Sequence, residues 1–375
     1  MNFDDSPEEA AFRIRLREWL EDNNPKLPAS STDDDYWAGQ RAWHQSLYDG
    51  GFFGTTWPKE IGGQGLPSVF DVMVDEELAT AGAPPRPSLG YLVEGILEHG
   101  SVEAQRRFLP GIVNGRERWC QGFSEPDAGS DLAALRTRAE LHGDEYILTG
   151  HKIWTSYSDD ADWCLVLART DSEVAKHKGI SAFAVPMHQP EIEQRTLPMI
   201  NGITKEFGEV LFDGARVAAA NMIGEPGEGW SLAMTVVSHE REPQQLGYAG
   251  RYKKLVKELV EQVRTEPSRY GAEQIRDLGW AIVEADMLRL HVCRRLSERL
   301  DGVTHGPEGS IDKLLMTSTE QTVGNAALSV GGISPADDDT WLKVYLYGRA
   351  QSVMGGTSQI QRNLVAERIL LLPAS

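Results

Sequence analysis

The residues best suited to chemistry are one carboxylate among apolar neighbours and three stretches dense in glycine, hydroxyls and amides. In GWSLAMTVVSHERE (229–242), Trp230, Ala233, Val236 and Val237 recur at helical spacing, and Glu240 continues their stripe. A carboxylate on an apolar stripe loses hydration, which raises its pKa toward the range where a general base acts near neutral pH. Glu242 stands roughly 200° further round the same helix, so the two acids cannot face one site. Arg241 is also off the stripe and could meet an anion. Pairing of Glu240 with a distant cation is the plainer reading, and Pro243 must kink or end the helix.

FSEPDAGSD (123–131) is a rigid loop with exposed backbone amides, suited to a planar or anionic ligand; an ordinary turn between two blocks is the competing reading. HKIWTS (151–156) sets Trp154, a flat apolar wall, beside the hydroxyls of Thr155 and Ser156; a core tryptophan at a sheet rim would look the same. QSVMGGTSQIQRN (351–363) places Gly355 and Gly356 before small and amide side chains. Adjacent glycines are conformationally costly and imply close approach of something to the backbone, yet no acid or base stands there.

These stretches hang on a simple order of elements. Ser6-Pro7-Glu8-Glu9 is a capping box that opens a helix with Phe12, Leu16, Trp19 and Leu20 on one face, stopped by Asn23-Asn24-Pro25. Further helices are expected around 69–80 and at 102–113. Segments 135–141, 145–154, 163–169, 180–186 and 209–213 are rich in strand formers, with His142-Gly143-Asp144 and Asp213-Gly214 as turns. Their connections are too short for helical crossovers, so an antiparallel barrel or sandwich is expected. Helical periods return at 232–240, 252–263, 272–300 and 311–330.

The chain has 375 residues, a formal net charge of −19 and a pI near 4.9. Such acidity disfavours nucleic acid or an anionic membrane as partner. Cys120, Cys164 and Cys293 show no metal or redox spacing and read as reduced thiols. An acidic N-terminus without a signal-peptide pattern points to the cytoplasm. No metal site is expected.

Taken together, FSEPDAGSDLAALRT, HKIWTS, SHER and GGTSQIQRNLVAERIL, in this order and with GTTWPKEIGGQG and GEPGEGW, resemble the acyl-CoA dehydrogenase family over nearly the whole chain. The resemblance implies an α+β fold: an N-terminal helical domain (1–118), a middle antiparallel β-barrel (119–226) and a C-terminal four-helix bundle (227–375). It implies FAD-dependent α,β-desaturation of an acyl-CoA to the trans-2-enoyl-CoA, the β-hydrogen passing as hydride to flavin N5. An electron-transfer flavoprotein or similar acceptor would follow. Many members place a catalytic glutamate where this chain has Gly355. A branch resembling isovaleryl-type enzymes places it on the bundle helix, at the position of Glu240. By the same matching, Phe123 and Ser124 touch the flavin ring and Ser130 sits at the FAD/CoA boundary. Trp154 flanks the ring, and Thr155 and Ser156 bond near N5. Thr357, Ser358 and Gln359 contact FAD, Gly355 and Gly356 admit the thioester, and Ser238 and Arg241 help hold the acyl-CoA end.

Two family features are missing. Homo-oligomeric members usually carry an Arg-x-x-Phe-Gly segment that reaches the FAD pyrophosphate of the neighbouring subunit, and RTEPSRYGAEQIRD (264–277) has none. Members often carry Gln-x-x-Gly-Gly-x-Gly, and LSVGGISP has Leu328 and Ser334 for its first and last residues. The resemblance therefore implies a homologous second subunit in an α2β2 assembly, like the two-chain enzymes of sterol-derived acyl-CoAs. A homo-oligomer using Arg264, Arg269 or Arg276 is the alternative. A non-catalytic FAD- or CoA-binding subunit and an acyl-CoA oxidase are the rival functions.

Overall fold

The computed structural model describes residues 5–25, 36–240, 248–303, 306–332 and 340–373. In chain order its helices are α1 (Pro7–Asn23), α2 (Tyr36–Asp49), α3 (Val69–Ala81), α4 (Gly90–His99), α5 (Val102–Val113), α6 (Gly229–His239), α7 (Tyr248–Thr265), α8 (Ala272–Leu300), α9 (Gly309–Ala326), α10 (Thr340–Ala350) and α11 (Ser358–Leu364). The strands are β1 (Trp119–Gly122), β2 (Arg138–His142), β3 (Glu145–Ser156), β4 (Trp163–Arg169), β5 (Ile180–Pro186), β6 (Ile192–Leu197), β7 (Phe207–Ala218) and β8 (Met222–Ile223). No described helix is long and apolar enough to cross a membrane.

The described residues form two compact units. The first draws on three stretches, Met1–Pro25, Gly65–Arg86 and Arg241–Ser375. Its α1 begins as the sequence dictates: Ser6 Oγ accepts from the Glu9 amide while the Glu9 carboxylate accepts from the Ser6 amide at 2.7 Å. Phe12, Leu16 and Leu20 are buried, and Arg13 and Arg17 flank them to donate to Glu77 of α3. The C-terminal helices share a core that includes Tyr252, Leu259, Leu278, Ala285, Leu288 and Val323. Helix α9 is buried on several sides, so its polar groups are matched: Asp312 bonds His291 and Arg295, Glu320 accepts from the Tyr252 hydroxyl at 2.6 Å, and Lys313 donates to Gln351. Helix α8 is two-faced. Leu278, Ala281, Ala285, Leu288 and Val292 are buried, while Trp280, Val283, Met287 and Leu290 make a second stripe that stays 45–59 % exposed.

The second unit, Lys26–Gln64 with Pro87–Glu240, is built on one eight-stranded sheet of order β6-β7-β3-β2-β4-β5-β8, with β1 added on β4. Most neighbours are antiparallel, as the short turns require. The expectation of a wholly antiparallel block is corrected at β4, which pairs parallel with β1 from Trp119↔Trp163 to Gly122↔Val166 and with β2 at Arg138↔Arg169. Residues 123–162, with β2 and β3 among them, intervene, and so long a connection permits parallel entry. Asp213-Gly214 is not a strand end either. Strand β7 runs through it to Ala218, with a register shift opposite Leu148/Thr149 and Gly214 at φ +84°, the signature of a bulge.

Candidate active site

Strand β3 carries the most unusual backbone of the second unit. Lys152 pairs with Val210 and Thr155 with Gly208, so Ile153 and Trp154 together face one residue, Glu209. Within this bulge Trp154 adopts φ +58°, a left-handed conformation that costs a non-glycine residue about 1–3 kcal/mol. Strain of this kind persists where the surrounding structure or a ligand uses it. Trp154 has 61 % of its surface exposed, and its ring meets that of Phe207 edge-on at 6.4 Å. The next side chain, Thr155, is fully buried, and its hydroxyl has no hydrogen-bond partner among the described residues. A planar ligand with polar groups along its edge fits an exposed indole beside an orphaned hydroxyl.

The residues after β1 run beside this bulge. Ile153 N donates to Ser124 O at 3.0 Å, which joins the FSEPDAGSD loop to β3. Glu125 and Ala128 exchange two backbone hydrogen bonds of 3.0 Å and fold the loop back on itself. Phe123 is buried, Ser124 and Ser156 are half-buried, and Ser130 is exposed. The structure thus brings Phe123, Ser124, Trp154, Thr155 and Ser156 into one neighbourhood.

Helix α6 positions the candidate base. Its buried face is Leu232, Ala233 and Val236, with Trp230 and Val237 half-buried. Glu240 is the C-cap, still in helical conformation, and its amide donates to Val236 O at 2.9 Å. The helix ends at His239, one residue before the sequence pattern does. Glu240 is half-buried, and Ser238, exposed, donates its hydroxyl to Thr235 O. Arg241, Glu242 and Pro243 lie outside the described residues.

Two glycines let α6 seat closely. A Cβ on Gly229 would lie 2.6 Å from the Ser181 carbonyl carbon on β5, and one on Gly95 of α4 would lie 2.5 Å from Val236 Cγ2. We expect Gly95→Ala to destabilise the protein by about 1–3 kcal/mol through overpacking. Adding Val236→Ala should recover most of that loss, because the two changes share one contact. Denaturant unfolding of the four proteins of this cycle checks it; strictly additive losses would refute the shared contact.

The first unit holds the glycine pair. Gly355 and Gly356 have φ +63° and +90°, so both need the freedom that only glycine has. Thr357 caps α11 by accepting from Ile360 N at 3.2 Å, Ser358 N donates to Ser352 O, and Gln359 is exposed. Sequence reasoning missed what holds this turn. Gln361, fully buried, donates Nε2 to both Gly355 O and Gly356 O at 3.3 Å, and its Oε1 has no partner among the described residues. Behind it, Lys313 and Thr317 bond the side chain and carbonyl of Gln351. The sequence carried no clear signal for it: of the three amides on α11, Gln359 and Asn363 are exposed and only Gln361 is buried.

Comparison with known proteins gives a consistent picture. Three family models match in order: the acyl-CoA dehydrogenase N-terminal domain over residues 6–116, the middle domain over 120–215 and the C-terminal domain over 227–370. Acyl-CoA dehydrogenase IpdE1 of Mycobacterium tuberculosis is 36 % identical, over 96 % of this chain and 97 % of that protein. Isovaleryl-CoA dehydrogenase of Pongo abelii is 29 % identical over 63 % of this chain and 57 % of its own. Among solved structures, the Tcur3481-Tcur3483 steroid ACAD matches with a TM-score of 0.87 at 27 % identity over the full length of both chains. The ChsE4-ChsE5 complex from Mycobacterium tuberculosis matches with a TM-score of 0.80 at 25 % identity, again over both full lengths.

Proposed function

This chain belongs to the acyl-CoA dehydrogenase family, and from that premise we propose the roles of its residues. It is an FAD-dependent enzyme that desaturates an acyl-CoA thioester between its α and β carbons. Glu240 is the base that takes the α-proton. FAD, when bound, accepts the hydride that leaves the β-carbon. Phe123, Ser124, Trp154, Thr155 and Ser156 hold the flavin ring, and the orphaned Thr155 hydroxyl is the observation that carries this reading. Thr357, Ser358 and Gln359 contribute to FAD binding, and Gly355 and Gly356 to thioester binding. Ser130, Ser238 and Arg241 contribute to the acyl-CoA site. The position of Glu240, a half-buried carboxylate that closes the apolar helix α6, supports this role.

The chain works with a homologous second subunit, and an electron-transfer flavoprotein or a similar acceptor would be its redox partner. Support for a second subunit comes from the paired chains named in two solved neighbours and from the stripe Trp280, Val283, Met287 and Leu290. Those residues follow a 3-4-3 spacing on the side of α8 away from its core, as a helix–helix seam does. The steroid ACAD among the neighbours makes bulky, steroid-derived acyl-CoAs the first substrates to try.

The test is a panel of straight, branched and steroid-derived acyl-CoAs with an artificial electron acceptor, run with and without candidate partner chains. Formation of 2-enoyl-CoA is the expected result. Absence of product for every substrate in the FAD-loaded assembly would leave a binding subunit as the reading. Reoxidation by air of anaerobically reduced enzyme, fast enough to match turnover, would make it an oxidase.

A further inference from the structure

Two charged side chains inside the quoted motifs have no role in the chemistry above: Glu125 of FSEPDAGSD and Lys152 of HKIWTS. Both are buried, Lys152 completely and Glu125 to 8 % exposure. Lys152 Nζ donates to Glu125 Oε1 at 2.8 Å and to Phe123 O at 3.0 Å. The same carboxylate accepts from the amides of Arg136 at 2.6 Å and Thr137 at 2.8 Å. Three chain segments meet at this pair: the residues leaving β1, the residue of β3 just before the bulge, and the approach to β2.

Burial pulls the Lys152 ammonium down from its ordinary value, and Glu125 only partly offsets this. Burial alone would raise Glu125, but Lys152, Thr137 and the Arg136 amide hold it below the usual carboxylate range. Stability alone does not call for charges here, although the pair does satisfy the Phe123 carbonyl and the Arg136 and Thr137 amides. Well-packed apolar residues of similar volume usually serve the fold as well or better than a buried ion pair. What the pair supplies is direction. Three hydrogen bonds to one carboxylate–ammonium unit, with a fourth inside it, fix where Phe123 and Ser124 lie relative to Trp154, Thr155 and Ser156.

We propose that Lys152 and Glu125 are positioning residues for the flavin ring, holding the loop after β1 and the β3 bulge at the separation the ring requires. The proposal rests on the reading that these two segments hold FAD, and it adds which groups set their spacing. Neither residue touches the reacting atoms.

The decisive variant is Lys152→Met combined with Glu125→Leu, which removes both charges and keeps volume, studied in the FAD-loaded assembly. The thermal midpoint of the apoprotein should fall, because Phe123 O and the Arg136 and Thr137 amides lose their partners, so flavin binding is compared at a temperature where both proteins are folded. The FAD dissociation constant should rise about tenfold or more. The visible circular dichroism of residual bound flavin and its reduction potential should shift. Parent-like affinity, dichroism and potential in a folded double variant would overturn the proposal. Should that variant not fold, Glu125→Asp carries the test, because it keeps the charge but withdraws the carboxylate by one methylene. Altered flavin dichroism at unchanged thermal midpoint supports the positioning role, and unaltered dichroism refutes it. Trp154→Ala is the control for the underlying reading. If Trp154→Ala also leaves the flavin signal untouched, the ring does not sit at this bulge at all; if only the Trp154 variant changes it, the site stands and the positioning role fails.

Discussion

Glu240→Gln is expected to lower kcat by about 10²–10⁴-fold, the usual consequence of losing a general base. Glutamine keeps the size of the side chain and most of its hydrogen bonding, and the cap of α6 is made by the backbone amide, so the fold should be unchanged. FAD content and acyl-CoA affinity should remain close to those of the parent. Stopped-flow mixing with acyl-CoA checks this directly, since flavin bleaching reports proton and hydride removal before any acceptor acts. Near-normal bleaching in the variant would move the base elsewhere, with Glu242 the first alternative. Gly355, where many relatives carry the acid, offers no substitute: it has no side chain, and its φ of +63° would strain any replacement.

The second large effect concerns assembly. Expressed alone, this chain is expected to retain well under one FAD per subunit, and co-expression with a homologous partner should restore full loading. Charge-assisted hydrogen bonds to a pyrophosphate contribute about 1.5–3 kcal/mol each, so the absence of two weakens binding by about 10²–10⁴-fold. Arg264, Arg269 and Arg276 could supply them in a homo-oligomer. All three are solvent-exposed, and each pairs with a glutamate on its own segment. Such pairs contribute little and would not hold an arginine back. Flavin absorbance per subunit and mass in solution separate the two cases. Met287→Glu, in the middle of the exposed stripe on α8, should dissociate the two-chain assembly and release its FAD. A stable, active homo-oligomer with full FAD would refute the second-subunit reading.

Much of this was legible in the residues. The capping box at Ser6, the length of α8 and the limits of β4 and β5 follow local rules, because capping chemistry and apolar period act within a few residues. Glu240 stood out because a carboxylate on an apolar stripe is locally anomalous. Strands β1, β6 and β8 were not legible. They are short, and only pairing with distant segments makes them strands. Strand β6, at Ile192–Leu197, alternates weakly because none of its residues is fully buried. The end of β7 was misplaced at Gly214 because a glycine with positive φ looks the same in a turn and in a bulge. The Lys152–Glu125 pair was invisible for a different reason: 27 positions separate its members, and neither neighbourhood marks them as buried.

The three-stretch construction of the first unit also has a consequence for synthesis. Helices α1 and α3 leave the ribosome early, but the core that buries Val72 of α3 is completed by α7, α8 and α9. At translation rates of about 5–20 residues per second, the stretch from Arg86 to Arg241 takes roughly eight to thirty seconds to emerge. Through that interval the nascent chain carries an unfinished apolar surface at its leading end, while the stretch being made can close its own sheet. The second unit can therefore mature during elongation, whereas the first cannot complete its core until the last third of the chain arrives.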